Sequence, residues 1–390
     1  MKTFPLLALV TFFGAFVGAG AACGEDTALV RPRLDGGGGD GAALDGGPDS
    51  GALSCGAALP TTYESPAFAQ NAAVELALAQ RYIELGDKMR SAEGANGATV
   101  TANDLKAIYS AGAPSLRAVS TSESQAAVDA YFAAFEAAMG KTWSPDDADR
   151  DGGAASGGKH GDYVFDAVGV DLRVATETTI LGGALYNHVL GLVAAPITDA
   201  TVDKLLAAFG ATPALANRTD ADAGADADRL IAAYASQRDD ESSATPGPYR
   251  KIKDALLRMK AAVKAGESCK ADLDASVAAF LLEWERTTYA SAIFYLSMAA
   301  SGAADPTADS TTLHAFGEAL GLIQSFKGAG TRKITDAQID ALLTKIGAAD
   351  PYKLVTSPGD RSLKLKEAIT DIALYEGFEA DEVERFRQKL

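Results

Sequence analysis

The chain has 390 residues and sets 35 Lys and Arg against 52 Asp and Glu, a formal net charge of −17. An acidic chain repels a phosphate backbone, so nucleic acid is excluded as a partner. Hydrophobic content of 47% excludes wholesale disorder, aromatics at 7% with abundant Ala favour close-packed helices over sheet, and three Cys with three His leave little for a zinc or haem framework.

The first segment is an address. Met1-Lys2 is a short basic start, Phe4 to Ala22 is apolar, and Gly20-Ala21-Ala22 precedes Cys23. A basic start, an apolar core and small residues before a cut describe a secretory signal over residues 1–22. An ordinary signal peptide cut near Ala22 is one reading of it; a retained membrane helix fits less well, because the run barely spans a bilayer. A Cys directly after small residues resembles the lipobox of bacterial lipoproteins, with Gly20 standing where Leu or a similar residue is usual. That resemblance implies lipidation at Cys23 and a membrane partner reached through the lipid. By the same resemblance, Gly24 rather than Asp after the Cys implies the outer membrane of a Gram-negative cell envelope.

Residues 23–58 read as a tether. Asp35 to Gly51 is rich in Gly and Asp, with no periodicity and no aromatic, so it buries too little surface to offset its ordering entropy. With Cys23 lipidated, Cys55 and Cys269 remain. In an oxidising compartment two such residues either pair, pinning the end of the tether to the body, or stay separate thiols.

The body, residues 59–390, carries helical spacing throughout. Helices are expected over Phe68–Ala92, from Thr101 to Tyr109, and over Ser122–Gly140. An Asp- and Gly-rich loop, Ser144–Asp162, leads into a long helical segment, Asp166–Leu192, whose Gly182-Gly183 marks a kink or a close crossing. Thr198-Asp199 caps a helix to Phe209, and Asn217–Asp228 is a second acidic loop. Further helices are expected over Ala227–Ser236, Tyr249–Ala265 and Asp272–Ala300, the longest. Asp309-Ser310 and Thr335-Asp336 cap two more, and Ser362–Tyr375 and Ala380–Lys389 close the chain. No strand with period two stands out, so the expected class is all-α, a helical bundle array behind a signal peptide and flexible linker.

Several stretches carry a family resemblance. They are Asn103-Asp-Leu-Lys-Ala-Ile-Tyr109, Tyr163-Val-Phe-Asp166, Leu181-Gly-Gly-Ala-Leu-Tyr186, Glu283-Trp-Glu285, Ala292-Ile-Phe-Tyr295 and His314-Ala-Phe-Gly-Glu318. In this order they resemble a family of bacterial lipoproteins known as domain of unknown function 4856, itself loosely similar to imelysin-like helical lipoproteins. The resemblance implies an all-α, exported and anchored protein, and the looser one implies a link to iron uptake or to peptidase activity. The imelysin motif Gly-x-His-x-x-Glu has no copy here; the nearest stretch is His314 with Glu318.

Those two residues are the leading metal or acid–base candidates. Four apart on an expected helix, they share a face, and an imidazole beside a carboxylate suits either task. Glu283, Glu285 and Tyr289 on the preceding helix could complete a site across the bundle. The bland alternative is a helix-stabilising pair. His188 reads as a packed or capping residue and His160 as a solvated one. Asp147, Asp149 and Asp151, followed by Gly152, match the start of a calcium loop, but Gly158 stands where the bidentate Glu belongs, so a solvated loop competes with calcium. Gly-x-Ser-x-Gly, His-Glu-x-x-His and a phosphate loop are all absent. The expected function is therefore an anchored, non-enzymatic envelope protein that binds a ligand, a divalent metal or a protein partner. An imelysin-type metal-dependent hydrolase using His314 and Glu318 is one rival; a scaffold without a small-molecule site is the other.

Overall fold

The computed structural model describes residues 52–94, 96–148, 157–219, 221–305 and 307–388, all within one unit, Ser50–Leu390. Its helices are, in order, α1 (Phe68–Asn71), α2 (Ala73–Arg90), α3 (Ala102–Tyr109), α4 (Leu116–Val119), α5 (Ser122–Ala138) and α6 (Pro145–Ala148). A hairpin of β1 (Gly158–His160) and β2 (Tyr163–Phe165) follows, then α7 (Leu172–Ile180), a π-helical turn (Leu181–Tyr186) and α8 (Asn187–Val193). The rest is α9 (Asp199–Phe209), α10 (Leu230–Gln237), α11 (Pro248–Ala265), α12 (Lys270–Gly302), α13 (Asp309–Gln324), α14 (Asp336–Ile346), α15 (Lys353–Thr356), α16 (Pro358–Glu376) and α17 (Ala380–Phe386). The class is all-α, as expected.

Caps set most starts. Thr101, Thr121, Thr198 and Thr335 each accept a backbone N–H three residues on, and three of the four close a reciprocal capping box. Asp309 does not cap α13: it lies inside the first turn, where a carboxylate complements the helix dipole without capping. Pro358 starts α16 a turn earlier than expected, because proline fits the first helical position.

The hairpin corrects the expectation of no strand. Gly161-Asp162 forms a two-residue turn with Gly161 at φ +58°, pairing His160 with Tyr163 and Gly158 with Phe165. Three-residue strands are too short to show a period. Lys159 Nζ donates to the carbonyl of Gly94 at 2.9 Å, and Gly94 N–H donates to that of Asp162 at 3.1 Å, which ties the hairpin to the end of α2.

The 33-residue α12 is the central post. Residues 287–294 are buried consecutively, so this stretch is enclosed on every side, chiefly by α11, α13 and α16. Trp284 packs edge-on to Phe280 and Phe209 at 5.8 and 6.0 Å, and to Tyr186 at 5.9 Å. Burial of such a side chain contributes roughly 1.5–3 kcal/mol. Gly317 and Gly321 on α13 admit α7 closely. A Cβ at Gly317 would stand 3.1 Å from Asp171 Cβ, and one at Gly321 2.8 Å from the Ala175 carbonyl.

Two clamps hold the first described residues. Cys55 and Cys269 form a disulfide with Cα atoms 5.3 Å apart, and Asp272 accepts from Ser54 N–H, the Ser54 hydroxyl and Cys55 N–H. Buried Asp203 accepts from Tyr63, Ser65 and Asn71 at 2.6–2.7 Å and pairs with Lys260 at 3.0 Å. Leu53 is buried, so residues 52–58 belong to the folded unit rather than to the tether assigned from composition.

Candidate functional site

Asp171 sits just ahead of α7 and accepts from Arg173 N–H at 3.1 Å and Val174 N–H at 3.3 Å through Oδ1, capping that helix. Its Oδ2 lies 2.8 Å from His314 Nδ1 on α13. Asp171 is wholly buried, whereas the His314 side chain is 23% exposed. A carboxylate on Nδ1 places the imidazole proton there and leaves Nε2 without a partner among the described residues. The Tyr163 ring from β2 stacks on the imidazole, with centroids 4.2 Å apart and planes 14° apart.

One turn along α13, Glu318 is buried and accepts from the Tyr234 hydroxyl of α10 at 3.0 Å. Arg173 completes the cluster: its Nε donates to Glu93 at 2.7 Å and its Nη1 to Glu177 at 2.8 Å. Arg90 reaches Glu177 at 3.9 Å.

Burial dominates the electrostatics. It pushes Glu318 up to about 7, with His314 opposing and Glu177 reinforcing. Burial also takes Glu93 to about 7 against the pull of Arg173, and raises Glu177 against Arg173 and Arg90. For His314, burial works against the charged ring, but the Asp171 bond and the nearby carboxyls overcome it, so its pKa is raised. Burial and Glu318 raise the phenols of Tyr234 and Tyr295. Four carboxyl groups (Asp171, Glu93, Glu177 and Glu318) thus surround one buried guanidinium and one imidazole. Arg90 adds a third positive group at the edge of the cluster, and burial favours the protonated form of Glu93, Glu177 and Glu318.

The structure keeps His314 and Glu318 on one face but does not bring Glu283 or Glu285 to them. Glu285 accepts from the backbone N–H groups of Lys333 and Ile334 at 2.7–2.9 Å, anchoring the loop before α14. Glu283 faces Lys251 and Arg286, each at 3.6 Å, and the Tyr289 hydroxyl donates to the Ile323 carbonyl at 3.4 Å. The expected site across the bundle therefore fails, because α12 is enclosed and its carboxylates serve other neighbours. His160 is not solvated: it is half-buried against Trp143 at 5.8 Å, and burial lowers its pKa. His188 is packed, 2.8 Å from Glu75.

Asp147 lies in α6, and Asp149 and Asp151 lie outside the described residues, as does Cys23. Among the described residues, the group of three potential metal ligands that converges is Cys55, Cys269 and Asp272. Its sulfurs are already joined and its carboxylate already accepts three bonds, so it is a clamp.

Sequence reasoning missed Asp171, Arg173, Glu177, Glu93, Tyr163 and Tyr234. Two signals were available: Asp171 stands immediately before a helix as a cap, and Arg173 and Glu177 form an i,i+4 pair within otherwise uncharged text. No family model, curated protein or solved structure matches this chain.

Proposed function

We propose that this chain is an exported protein of the cell envelope, anchored through lipid on Cys23, whose helical body binds a divalent cation at the His314–Glu318 cluster. The observation that carries the reading is a His314 ring held by buried Asp171, its Nε2 without a partner among the described residues, one turn from buried Glu318. Imidazole, carboxylate and phenol donors together suit a borderline-to-hard cation such as iron. That choice agrees with the iron-uptake link implied by the imelysin-like resemblance. Asp171 holds the ring, and Arg173 holds Glu93 and Glu177, of which Glu177 acts on Glu318.

Titration calorimetry of the purified protein with Fe(II), Zn(II) and Mn(II) tests this. One equivalent is expected to bind with proton release, and His314→Ala and Glu318→Gln are each expected to weaken it at least tenfold, within the 10–100-fold typical of lost metal-site groups. No heat with any of the three metals, and no metal in the protein as purified, would overturn it.

A second reading has one observation in its favour. The buried Asp171–His314 pair fixes the imidazole tautomer as a general base requires, which supports the imelysin-type hydrolase. Peptidase activity lost in His314→Ala would select that reading.

A further inference from the structure

The first described residues meet the start of α12 in a cluster of different chemistry. Cys269 is the residue before α12, and Asp272 lies three residues on, so the two share one face of its first turn. Cys55 reaches them from the N-terminal side, its Cα 5.3 Å from that of Cys269. One ligand atom from each of the three, two sulfurs and a carboxylate oxygen, all lie within 4.8 Å of one another.

While the sulfurs are joined, the cluster is a clamp. Reduction turns them into ligands. Cys55 is half-buried and Cys269 is buried, so an attacking thiolate reaches Cys55 Sγ first. Cys269 then leaves as a thiolate at the N-terminus of α12, where the helix dipole favours negative charge. With a dithiol as reductant, its second sulfur displaces Cys55 from the mixed disulfide. The dithiol ends as a disulfide, and its two electrons and two protons pass to Cys55 and Cys269 as thiols. Binding of a metal then releases those protons.

Asp272 is already oriented for a cation. Its Oδ1 accepts one bond, from Ser54 N–H at 3.0 Å. Its Oδ2 accepts two, from the Ser54 hydroxyl at 2.8 Å and Cys55 N–H at 3.1 Å. Oδ1 therefore keeps a lone pair, and the three donors fix the carboxylate as outer partners fix metal ligands. Tetrahedral zinc holds thiolates at about 2.3 Å, which sets two of them about 3.8 Å apart. Rotation of the two side chains opens the sulfurs to that spacing across the 5.3 Å between their Cα atoms. Two thiolates with one carboxylate select a borderline-soft divalent cation over calcium or magnesium, and leave the fourth position to water.

We propose that Cys55, Cys269 and Asp272 are a redox-gated site for a thiophilic divalent cation of the zinc class, closed as a disulfide and open to the metal once reduced. The site is separate from the His314 cluster. Bound metal joins Cys55 to the start of α12 as the disulfide does.

Cadmium titration of the full-length His314→Ala variant tests this, because that variant lacks the imidazole of the other cluster. The protein is compared oxidised and after reduction with a phosphine. Thiolate-to-cadmium charge-transfer absorption in the ultraviolet is expected to saturate at one equivalent in the reduced protein and to be absent from the oxidised one. Cadmium and zinc are expected to raise the melting temperature that reduction lowers. Adding Asp272→Asn, with its cysteines checked by thiol titration to reclose on oxidation, is expected to weaken cadmium binding roughly tenfold or more. No charge-transfer band in the reduced protein would overturn the proposal. So would a band in the oxidised protein, or cadmium affinity that Asp272→Asn leaves unchanged.

Discussion

Glu376, the last residue of α16, is wholly buried, and neither carboxyl oxygen has a hydrogen-bond partner among the described residues. Its backbone carbonyl, not its side chain, takes Arg286 Nη1 at 2.9 Å and Lys333 Nζ at 2.7 Å. Burial, reinforced by Glu285, pushes the carboxyl up to about 8. A carboxyl whose pKa rises on folding holds its proton more tightly in the folded state, so its ionisation costs stability as pH climbs from the ordinary carboxylate range toward 8. Glu93 and Glu318, both near 7, act in the same direction over a narrower window. The midpoint of urea unfolding should therefore fall between pH 5 and pH 8.5, at the upper end of which the folded carboxyls are largely charged. Glu376→Gln keeps the shape without the charge. It should raise the unfolding free energy at pH 8.5 by on the order of 1–3 kcal/mol and leave pH 5 nearly unchanged. Equal effects at both pH values would show that charge is not the cause.

Helix pairs decide where these residues meet. The cluster exists because α13 carries Gly317 and Gly321 on the face that receives α7, one turn apart and in line with His314 and Glu318. Gly321→Ala would set a methyl against the Thr178 hydroxyl first, and against the Ala175 carbonyl at 2.8 Å and Ala175 Cα at 3.1 Å. Overpacking of that kind costs about 1–3 kcal/mol. The variant should unfold at lower urea, and separation of α7 from α13 should lengthen the Asp171–His314 bond. The His314 ring signals in NMR would then titrate at a lower pH than in the wild type. Destabilisation with an unchanged His314 titration would mean that the crossing and the dyad are independent. The paired glycines of residues 182–183 were legible as a kink or a close crossing, and the crossing is what they serve: the helix, widened into a π-turn there, lies against Ser325 and Ser124. The period alone did not show which of the two applied.

For the whole molecule, the disulfide is the longest covalent tie, closing a separation of 214 residues. Long closures restrict the unfolded chain most, and losing a native disulfide costs roughly 2–5 kcal/mol. The Cys55→Ser/Cys269→Ser double variant should lose stability within that range, and adding reductant to the wild type should reproduce the loss. The Asp272 clamp and the Asp203 network hold the same segment by hydrogen bonds, so the folded body should survive at neutral pH, as far-ultraviolet circular dichroism would show. A fully unfolded double variant would show that those clamps cannot hold the segment alone.

By itself the sequence determined what is local. Apolar spacing and threonine caps located the long helices, and counting cysteines offered the Cys55–Cys269 pair, because these features depend on neighbours a few residues apart or on chemistry countable along the chain. It also placed His314 and Glu318 on one face. Only the tertiary structure decided their company. Asp171 lies 143 residues before His314 and Tyr234 lies 84 before Glu318, and no periodicity reports contacts at such separations. Glu283 and Glu285 looked equally suitable in the text. Packing on every side of α12 assigned them to Lys251, Arg286 and the loop before α14, and the same packing raised the carboxyls that define the site. Burial follows from how helices are stacked, so the electrostatics of this protein were settled at that level.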